Sequence, residues 1–344
     1  MSYAPFDDAA IGYWQLPTGR TNSICDVEGV RVGHVQNMLG NARTGVTALL
    51  PMADNIYANK LPAGCAVING FGKSAGLVQV PELGEIETPI VFTNTLGVGI
   101  ASQVLIERAI AENPQIGRNG SATVNPLVFE CNDGRVNDIQ AIGIDGDLVE
   151  AALDQCDTTF AQGTVGAGTG MCTFGFAGGL GSASREIQIG EQTYTLGSFV
   201  LSNFGQRSNI RVFGQNPQKF TDQTPDSPDA GSIIIVMATD LPLDSLQLSR
   251  LSLRAAAALG RLGSHYGHHS GDVALAFSTQ NARKLNDDDI VVQQRLSDRH
   301  ADKVFLAGVE ATENAILNAL WHSEPHEGYD GSLLPRWRDF YERG

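Results

Sequence analysis

Residues 214–240 read GQNPQKFTDQTPDSPDAGSIIIVMATD, and this stretch guides the interpretation of the whole chain. Its first part, residues 214–231, contains three prolines, three aspartates and no apolar period, which predicts a long exposed loop. The second part, from Ser232, is short and almost entirely apolar, as is typical of a buried strand. The two patterns therefore predict that the loop ends at Gly231 and that a buried strand begins at Ser232.

Similar apolar runs on both sides of this junction predict further buried strands. They are GVTALLP at 45–51, AVING at 66–70, PIVFTNT at 89–95, LVFECND at 127–133, FVLSNFG at 199–205 and VALAFST at 273–279. Helical patterns alternate with these runs. One begins after the N-cap residue Asp244, one runs from about Val98 to Glu112, and one occupies 304–321. The alternation indicates a mixed α/β fold.

Residues 164–184, TVGAGTGMCTFGFAGGLGSAS, are too rich in glycine for the interior of a helix or strand. The spacing of their glycines does not match the G-x-G-x-x-G pattern that cradles a dinucleotide. We therefore expect a tight structural loop.

Composition and charge narrow the function classes. The chain has 344 residues, a mass of 36.6 kDa and a formal charge of −15, which repels nucleic acid and anionic lipid. The five cysteines contain no C-x-x-C pair, and no apolar run approaches the roughly 18 residues of a membrane span. The N-terminal residues also lack the pattern of a signal peptide. These features predict a cytoplasmic protein without nucleic-acid or membrane partners.

A second serine, Ser74, is a candidate nucleophile. Residues 72–76 read GKSAG, which fits G-x-S-x-G and would predict an esterase elbow with His322 or His326 as partner. The residues that follow make a poor helix, which weakens this alternative. The same residues do not complete a phosphate-binding P-loop, because Val67 stands where its first glycine is required.

Residues 265–272, HYGHHSGD, cluster three histidines with a carboxylate. They lack the spacing of known zinc motifs, and adjacent histidines on an extended segment point in opposite directions. We expect a solvated loop or a subunit contact, and we predict no metal and no cofactor.

The Gly231-Ser232 junction carries its own chemistry. Glycine has no Cβ to hinder attack on its carbonyl, so the Ser232 hydroxyl could convert the peptide bond to an ester that water then hydrolyses. The freed amine of Ser232, with a usual pKa of about 7.7–8.0, could then act as the base for its own hydroxyl. A non-catalytic binding protein with an intact junction is the alternative from another class.

Several segments together resemble the L-aminopeptidase/D-esterase family of self-processing serine aminopeptidases, which includes the β-aminopeptidases. They are ICDVEGVRVGHVQ at 24–36, TPIVFTNTLGVG at 88–99, VFECNDGRVNDI at 128–139, GTVGAGTGM at 163–171, LSNFGQR at 201–207, GSIIIVMATDLPL at 231–243 and GRLGSHYGHHSGDVALAFST at 260–279. Their order along the chain also agrees with that of the family.

The resemblance implies a role for particular residues. Ser232 matches the nucleophile, released by cleavage into an α chain (1–231) and a β chain (232–344). Ser270 and Asp272 match the pair around the nucleophile and its amine, and some relatives carry glutamate at the second position. Asn203 matches an oxyanion-hole donor, and Glu130 matches the carboxylate that holds the free amine of the substrate.

One position departs from the family pattern. L-aminopeptidase members carry a tyrosine where this chain has Asn132, which leaves the choice between α- and β-amino substrates open. The sequence also leaves the choice between L and D forms open.

The resemblance also implies the architecture. We expect one catalytic domain over 1–344, with a four-layer αββα sandwich resembling the N-terminal nucleophile (Ntn) hydrolases and no cofactor. Members act on short peptides or amides and assemble as multimers, often tetramers, of αβ units. The ornithine acetyltransferases share the architecture but use threonine, so Ser232 argues against that acyltransferase alternative.

Overall fold

Two β-sheets and two helical layers make up most of the structure. A computed structural model describes residues 12–215, 231–285 and 289–341. Its α-helices are α1 (Gln79–Leu83), α2 (Val98–Glu112), α3 (Gly146–Asp154), α4 (Ser245–Arg261), α5 (Ala301–His322) and α6 (Arg338–Tyr341). Its strands are β1 (Arg31–Asn37), β2 (Thr44–Leu50), β3 (Asn59–Gly70), β4 (Glu85–Ile86), β5 (Ile90–Asn94), β6 (Leu127–Cys131), β7 (Cys172–Thr173), β8 (Phe176–Ala177), β9 (Gly179–Ile189), β10 (Gln192–Asn203), β11 (Ser232–Thr239), β12 (Gly271–Ser278), β13 (Arg283–Lys284), β14 (His326–Glu327) and β15 (Leu333–Leu334).

The two large sheets stack between the helices. The first sheet has the order β1-β2-β5-β6, and the second has the order β13-β3-β12-β11-β10-β9 with β4 paired to β3. Helices α2 and α3 contact the first sheet, and α4 and α5 contact the second. One apolar core fills the space between the sheets, and a further core lies beneath each helical layer. This is the predicted four-layer αββα sandwich.

Strand β11 is buried on both faces, which explains its continuous apolar sequence. Ile233 and Ile235 pack in the core beneath α4 and α5, whereas Ile234 and Val236 pack in the core between the sheets. Because side chains alternate along a strand, Ser232 lies on the same face as Ile234, toward the space between the sheets.

The helix and strand predictions are largely confirmed. Helix α2 begins and ends at the predicted residues, and Asp244 caps α4 in a capping box with Gln247. All seven predicted apolar runs overlap strands. Residues 216–230 of the predicted loop lie outside the described residues. In the described ranges, no helix has the length and apolar character needed to cross a bilayer.

The prediction that 164–184 contains no strand is wrong from Cys172 onward, because the short strands β7 and β8 pair there and the long strand β9 begins at Gly179. The strand needs a glycine at position 181, where a Cβ would lie 1.9 Å from the backbone carbonyl oxygen of Ala315 in α5. The glycine that made this segment look like a loop therefore allows a helix to approach the sheet closely. The earlier part of the segment does form a tight turn, with a 3-10 helix at Gly166–Gly168.

Candidate active site

Three neighbouring strands of the second sheet bring the Gly231-Ser232 junction and its partners together where the strands begin or end. Ser232, the first residue of β11, pairs with Asn203, the last residue of β10, and with Gly271, the first residue of β12. The Ser232 side chain is buried. The nucleophile candidate thus lies between two strand ends whose backbone positions are fixed by the sheet.

A single backbone N–H contacts two atoms at the predicted cleavage junction. The amide of Gly271 donates to Oγ of Ser232 at 3.2 Å and to the carbonyl oxygen of Gly231 at 3.3 Å. A Cβ at Gly271 would lie 2.7 Å from the carbonyl oxygen of Phe71 and 3.1 Å from the Ser232 Oγ. A side chain there would crowd the nucleophile. Sequence reasoning did not identify Gly271, although it lies between Ser270 and Asp272.

Packing at the start of β11 requires a glycine at position 231. A Cβ at this position would lie 1.8 Å from the carbonyl oxygen of Asn203 and 2.9 Å from Cα of Phe204. No side chain fits at that distance, so the residue before Ser232 must be glycine for β11 to pair with β10 as it does.

The side-chain amide of Asn203 is held at both ends. Its Oδ1 accepts a hydrogen bond from the backbone N–H of Cys172 at 2.8 Å, and its Nδ2 donates to the carbonyl oxygen of Asn132 at 2.9 Å. These two contacts fix which end of the amide is the donor. Nδ2 carries a second hydrogen, so Asn203 retains a donor for an oxyanion.

Ser270 and Asp272 flank Gly271 at the start of β12, and both are buried. The Ser270 hydroxyl donates to Oδ1 of Asp272 at 2.6 Å. The charge of Asp272 also affects the pKa of a neighbouring side chain. Burial first, and then this charge, raise the pKa of the Tyr266 phenol. The structure therefore places the predicted pair on the strand adjacent to Ser232.

Glu130 is a buried carboxylate at the end of β6. Its Oε1 accepts the backbone N–H of Lys73 at 2.7 Å, and its Oε2 accepts the hydroxyl of Thr95. A Cβ at Gly72 would lie 3.5 Å from Oε1 and 4.0 Å from Cα of Gly271, so this carboxylate lies close to the Ser232 edge. Within the described ranges, the ion pairs include none to Glu130.

The negative charge of Glu130 affects the pKa of the neighbouring Cys131 thiol. Burial raises the pKa of the Cys131 thiol well above its usual value, and the negative charges of Glu130 and Asp272 raise it further. Cys131 is thus held as a neutral thiol, with its Sγ 3.7 Å from the carbonyl oxygen of Leu201 across the two sheets.

The Ser74 site lacks the geometry of an esterase elbow. That motif needs a strand, a sharp turn and then a long helix. Ser74 instead lies in an extended segment whose next residue, Ala75, bridges to Val128 of β6, and the helix that follows, α1, has five residues.

The histidine cluster lies beside the site without forming a ligand set. The rings of His268 and His269 are 4.6 Å apart, and the His269 ring contacts Phe71. In the parts of the chain that the structure describes, no three His, Cys, Asp or Glu side chains are arranged to hold a metal ion.

Comparison with known proteins places the chain in a family. Residues 22–334 match Peptidase family S58. The chain belongs to this family. It is 36% identical over 350 residues to a β-peptidyl aminopeptidase of Sphingosinicella xenopeptidilytica, covering 92% of this chain and 84% of that protein.

Solved structures agree with this assignment. A Pyrococcus horikoshii protein superposes with a TM-score of 0.91 at 41% identity, covering 95% of this chain and 94% of that one. An L-aminopeptidase D-Ala-esterase/amidase of Ochrobactrum anthropi, described as a variant of the Ntn hydrolase fold, superposes with a TM-score of 0.88 at 34% identity, covering 95% and 96%. The predicted family, the Ntn-like fold and the prediction of an aminopeptidase-type hydrolase are confirmed.

Proposed function

We propose that this chain is a single catalytic domain that cleaves itself between Gly231 and Ser232 and then acts as an aminopeptidase through an acyl-enzyme on Ser232. The observation that carries the proposal is the amide of Gly271, which donates to both the Gly231 carbonyl oxygen and the Ser232 Oγ. A donor shared by the bond to be cut and the attacking oxygen suits acyl transfer between them.

Self-cleavage proceeds by an N-to-O acyl shift. Oγ of Ser232 attacks the Gly231 carbonyl carbon, and the developing oxyanion accepts the Gly271 N–H. The C–N bond breaks as the Ser232 nitrogen takes up a proton, which leaves an ester between the two residues. Water hydrolyses this ester and releases a Gly231 carboxylate and a free Ser232 amine and hydroxyl. The products are chains 1–231 and 232–344.

Turnover repeats the chemistry on a substrate. The free amine of Ser232 accepts the hydroxyl proton and later donates it to the leaving amine, as expected of a group with a usual pKa of about 7.7–8.0. The Asn203 amide and the Gly271 N–H stabilise the oxyanion. Ser270 and Asp272 form the hydrogen-bonded pair beside the nucleophile. Water then releases the acyl group.

Glu130 makes the enzyme an aminopeptidase rather than a general amidase. A buried carboxylate with two hydrogen-bond donors gains by pairing with the ammonium group of a substrate. Short peptides and amides with a free N-terminal amine are therefore the proposed substrates. The relative from Sphingosinicella supports β-amino acids as one accepted class. Asn132 stands where L-aminopeptidase members carry tyrosine, so the choice between α- and β-amino substrates is left to experiment.

The predicted assembly and location also remain proposals. We infer a homo-oligomer of αβ units, a tetramer in the family pattern, with the two chains of each precursor remaining associated because β11 is the central neighbour of β10 and β12. All five cysteines are free thiols, which supports the cytoplasm as the compartment.

The experiment is a pair of serine variants. Ser232→Ala should remain a full-length chain on denaturing electrophoresis and lose hydrolysis of aminoacyl anilides, whereas Ser74→Ala should be processed and active. Wild-type protein should show two bands, and the smaller should begin with Ser232. A panel of L-, D- and β-aminoacyl anilides then defines the substrate class. Fully active enzyme with an intact Gly231-Ser232 bond would refute the proposal.

A further inference from the structure

We propose that Asp133 is a positioning residue that holds two separate parts of the active site in place. One part is the amine arm, defined as Thr95 and Glu130. The other is the oxyanion arm, defined as Asn132 and Asn203. The inference rests on the proposed function and adds a residue to which neither the self-cleavage nor the turnover chemistry assigns a role.

The Asp133 carboxylate is fully buried where three strands of the first sheet end. Its Oδ2 accepts the hydroxyl of Thr44, the first residue of β2, at 2.6 Å and Nδ2 of Asn94, the last residue of β5, at 3.3 Å. Its Oδ1 accepts Nδ2 of Asn137 at 3.1 Å. Three neutral donors thus converge on one carboxylate, which itself follows β6 by two residues.

The amine arm is connected to this carboxylate through Asn94. While its Nδ2 donates to Asp133, its Oδ1 accepts the backbone N–H groups of Leu96 at 3.1 Å and Gly97 at 2.9 Å. These bonds form the turn that contains Thr95, whose hydroxyl donates to Oε2 of Glu130. The orientation of the amine-binding carboxylate therefore depends on a turn that Asp133 anchors.

The oxyanion arm is connected through the backbone of the adjacent residue. The carbonyl oxygen of Asn132 accepts Nδ2 of Asn203, and the turn around it is braced by the Gly134 N–H, which donates to Oδ1 of Asn132 at 2.9 Å. The Asp133 carbonyl oxygen accepts the N–H groups of Val136 and Asn137, each at 2.9 Å. With its carboxylate fixed on one side and its carbonyl on the other, Asp133 determines where the Asn132 carbonyl points.

The two arms serve different reactions, which makes the proposal testable. Self-cleavage uses the oxyanion donors but no substrate amine, whereas turnover uses both arms. Asp133 should therefore affect self-cleavage and turnover together. Asn94 is one of three donors to Asp133 but forms the turn of the amine arm directly, so it should affect turnover more than self-cleavage.

The main variant is Asp133→Asn. An amide offers one oxygen in place of two, so at least one of the three donors faces an NH₂ group instead of an acceptor. A displacement of about 1 Å at the reacting groups costs about 10²-fold in rate, so we expect kcat/KM for a free-amine anilide to fall by about that factor. Both a lower kcat and a higher KM should contribute, and self-cleavage should slow.

Two further variants complete the experiment. Asn94→Ala should raise KM for the same anilide, while self-cleavage slows less than it does in Asp133→Asn. Glu85→Gln removes another buried carboxylate, one that pairs with Lys60 and Arg283 away from the site, and should lower the unfolding midpoint without changing kcat or KM. Each variant is compared with wild-type enzyme, whose own self-cleavage and hydrolysis test the proposed function independently.

Three results would overturn the inference. The first is wild-type kcat, KM and self-cleavage in Asp133→Asn. The second is an identical kinetic loss in Glu85→Gln. The third is an unchanged KM in Asn94→Ala, and this variant tests the inference if Asp133→Asn does not fold. A wild-type enzyme that neither cleaves itself nor hydrolyses the anilide would instead refute the proposed function.

Discussion

Replacing Gly231 by alanine tests the geometry of the cleavage site with one methyl group. The added Cβ would lie 1.8 Å from the carbonyl oxygen of Asn203, whereas unstrained contacts are roughly 3.5 Å. The start of β11 must therefore move away from β10 by about 1.5 Å. The Gly231 carbonyl oxygen is already 3.3 Å from the Gly271 amide, so such a movement breaks this hydrogen bond.

The expected effect on rate follows from the lost donor. Removing one oxyanion donor lowers the rate of acyl transfer by about 10²- to 10³-fold, so self-cleavage of Gly231→Ala should slow by at least that factor. Overpacking of this kind also costs about 1–3 kcal/mol of stability. The folded variant should therefore accumulate as a full-length chain of 344 residues.

The assay follows the fraction of uncleaved chain with time by denaturing electrophoresis and intact mass. Gly99→Ala is the matched control, because nothing lies within 4 Å of a Cβ at that position in α2. This control should self-cleave at the wild-type rate. If Gly231→Ala is processed as fast as wild type while remaining folded, the steric argument and the role of the Gly271 N–H are both wrong.

Three further predictions concern single side chains. Asn203→Ala should lower kcat by about 10²- to 10³-fold with a smaller change in KM, and a change in KM alone would remove it from the oxyanion site. Glu130→Gln should lower kcat/KM for free-amine substrates and leave the rate of self-cleavage unchanged. The wild-type enzyme should hydrolyse N-acetylated substrates more slowly than free-amine substrates by orders of magnitude. Equal rates for these two kinds of substrate would refute the amine-binding role of Glu130. Burial raises the pKa of Asp133 to about 6, although three side-chain hydrogen bonds and one backbone hydrogen bond oppose the shift. Because the folded state binds this proton more tightly than the unfolded state, the free energy of unfolding falls by on the order of 3 kcal/mol as pH rises from about 4 to about 6. Asp133→Asn should remove this pH dependence from the free energy of unfolding.

Periodicity and turn residues were sufficient to predict the main elements but not their arrangement. The apolar runs around Ile234 and Phe92 identify strands because both faces are buried. Nothing local shows that these two residues face each other from different sheets. Gly181 contributed to the wrong prediction of a loop. A glycine is needed there because the α5 backbone at Ala315, far away in sequence, approaches the strand closely.

The candidate site was predictable only through resemblance. Residue chemistry alone singles out Gly231-Ser232 but leaves Ser74 open as a second nucleophile. No local sequence pattern singles out Glu130 or Asn203, since their proposed roles depend on the ends of β6 and β10 lying near the start of β11. Gly271 and Asp133 were missed because one acts through a backbone N–H and the other through neighbours from two other strands.

In the proposed mechanism, self-cleavage and turnover cannot use the same base. The Ser232 amine that accepts the proton in turnover is a peptide nitrogen until Gly231 is cut. The first reaction therefore needs another acceptor, and we propose the buried Ser270–Asp272 pair that flanks Gly271 for this role. The free amine, with a usual pKa of about 7.7–8.0, governs the pH dependence of turnover but does not exist before Gly231 is cut. Self-cleavage should thus persist at a pH where turnover has stopped, and a self-cleavage rate that followed the titration of an amine would contradict this argument.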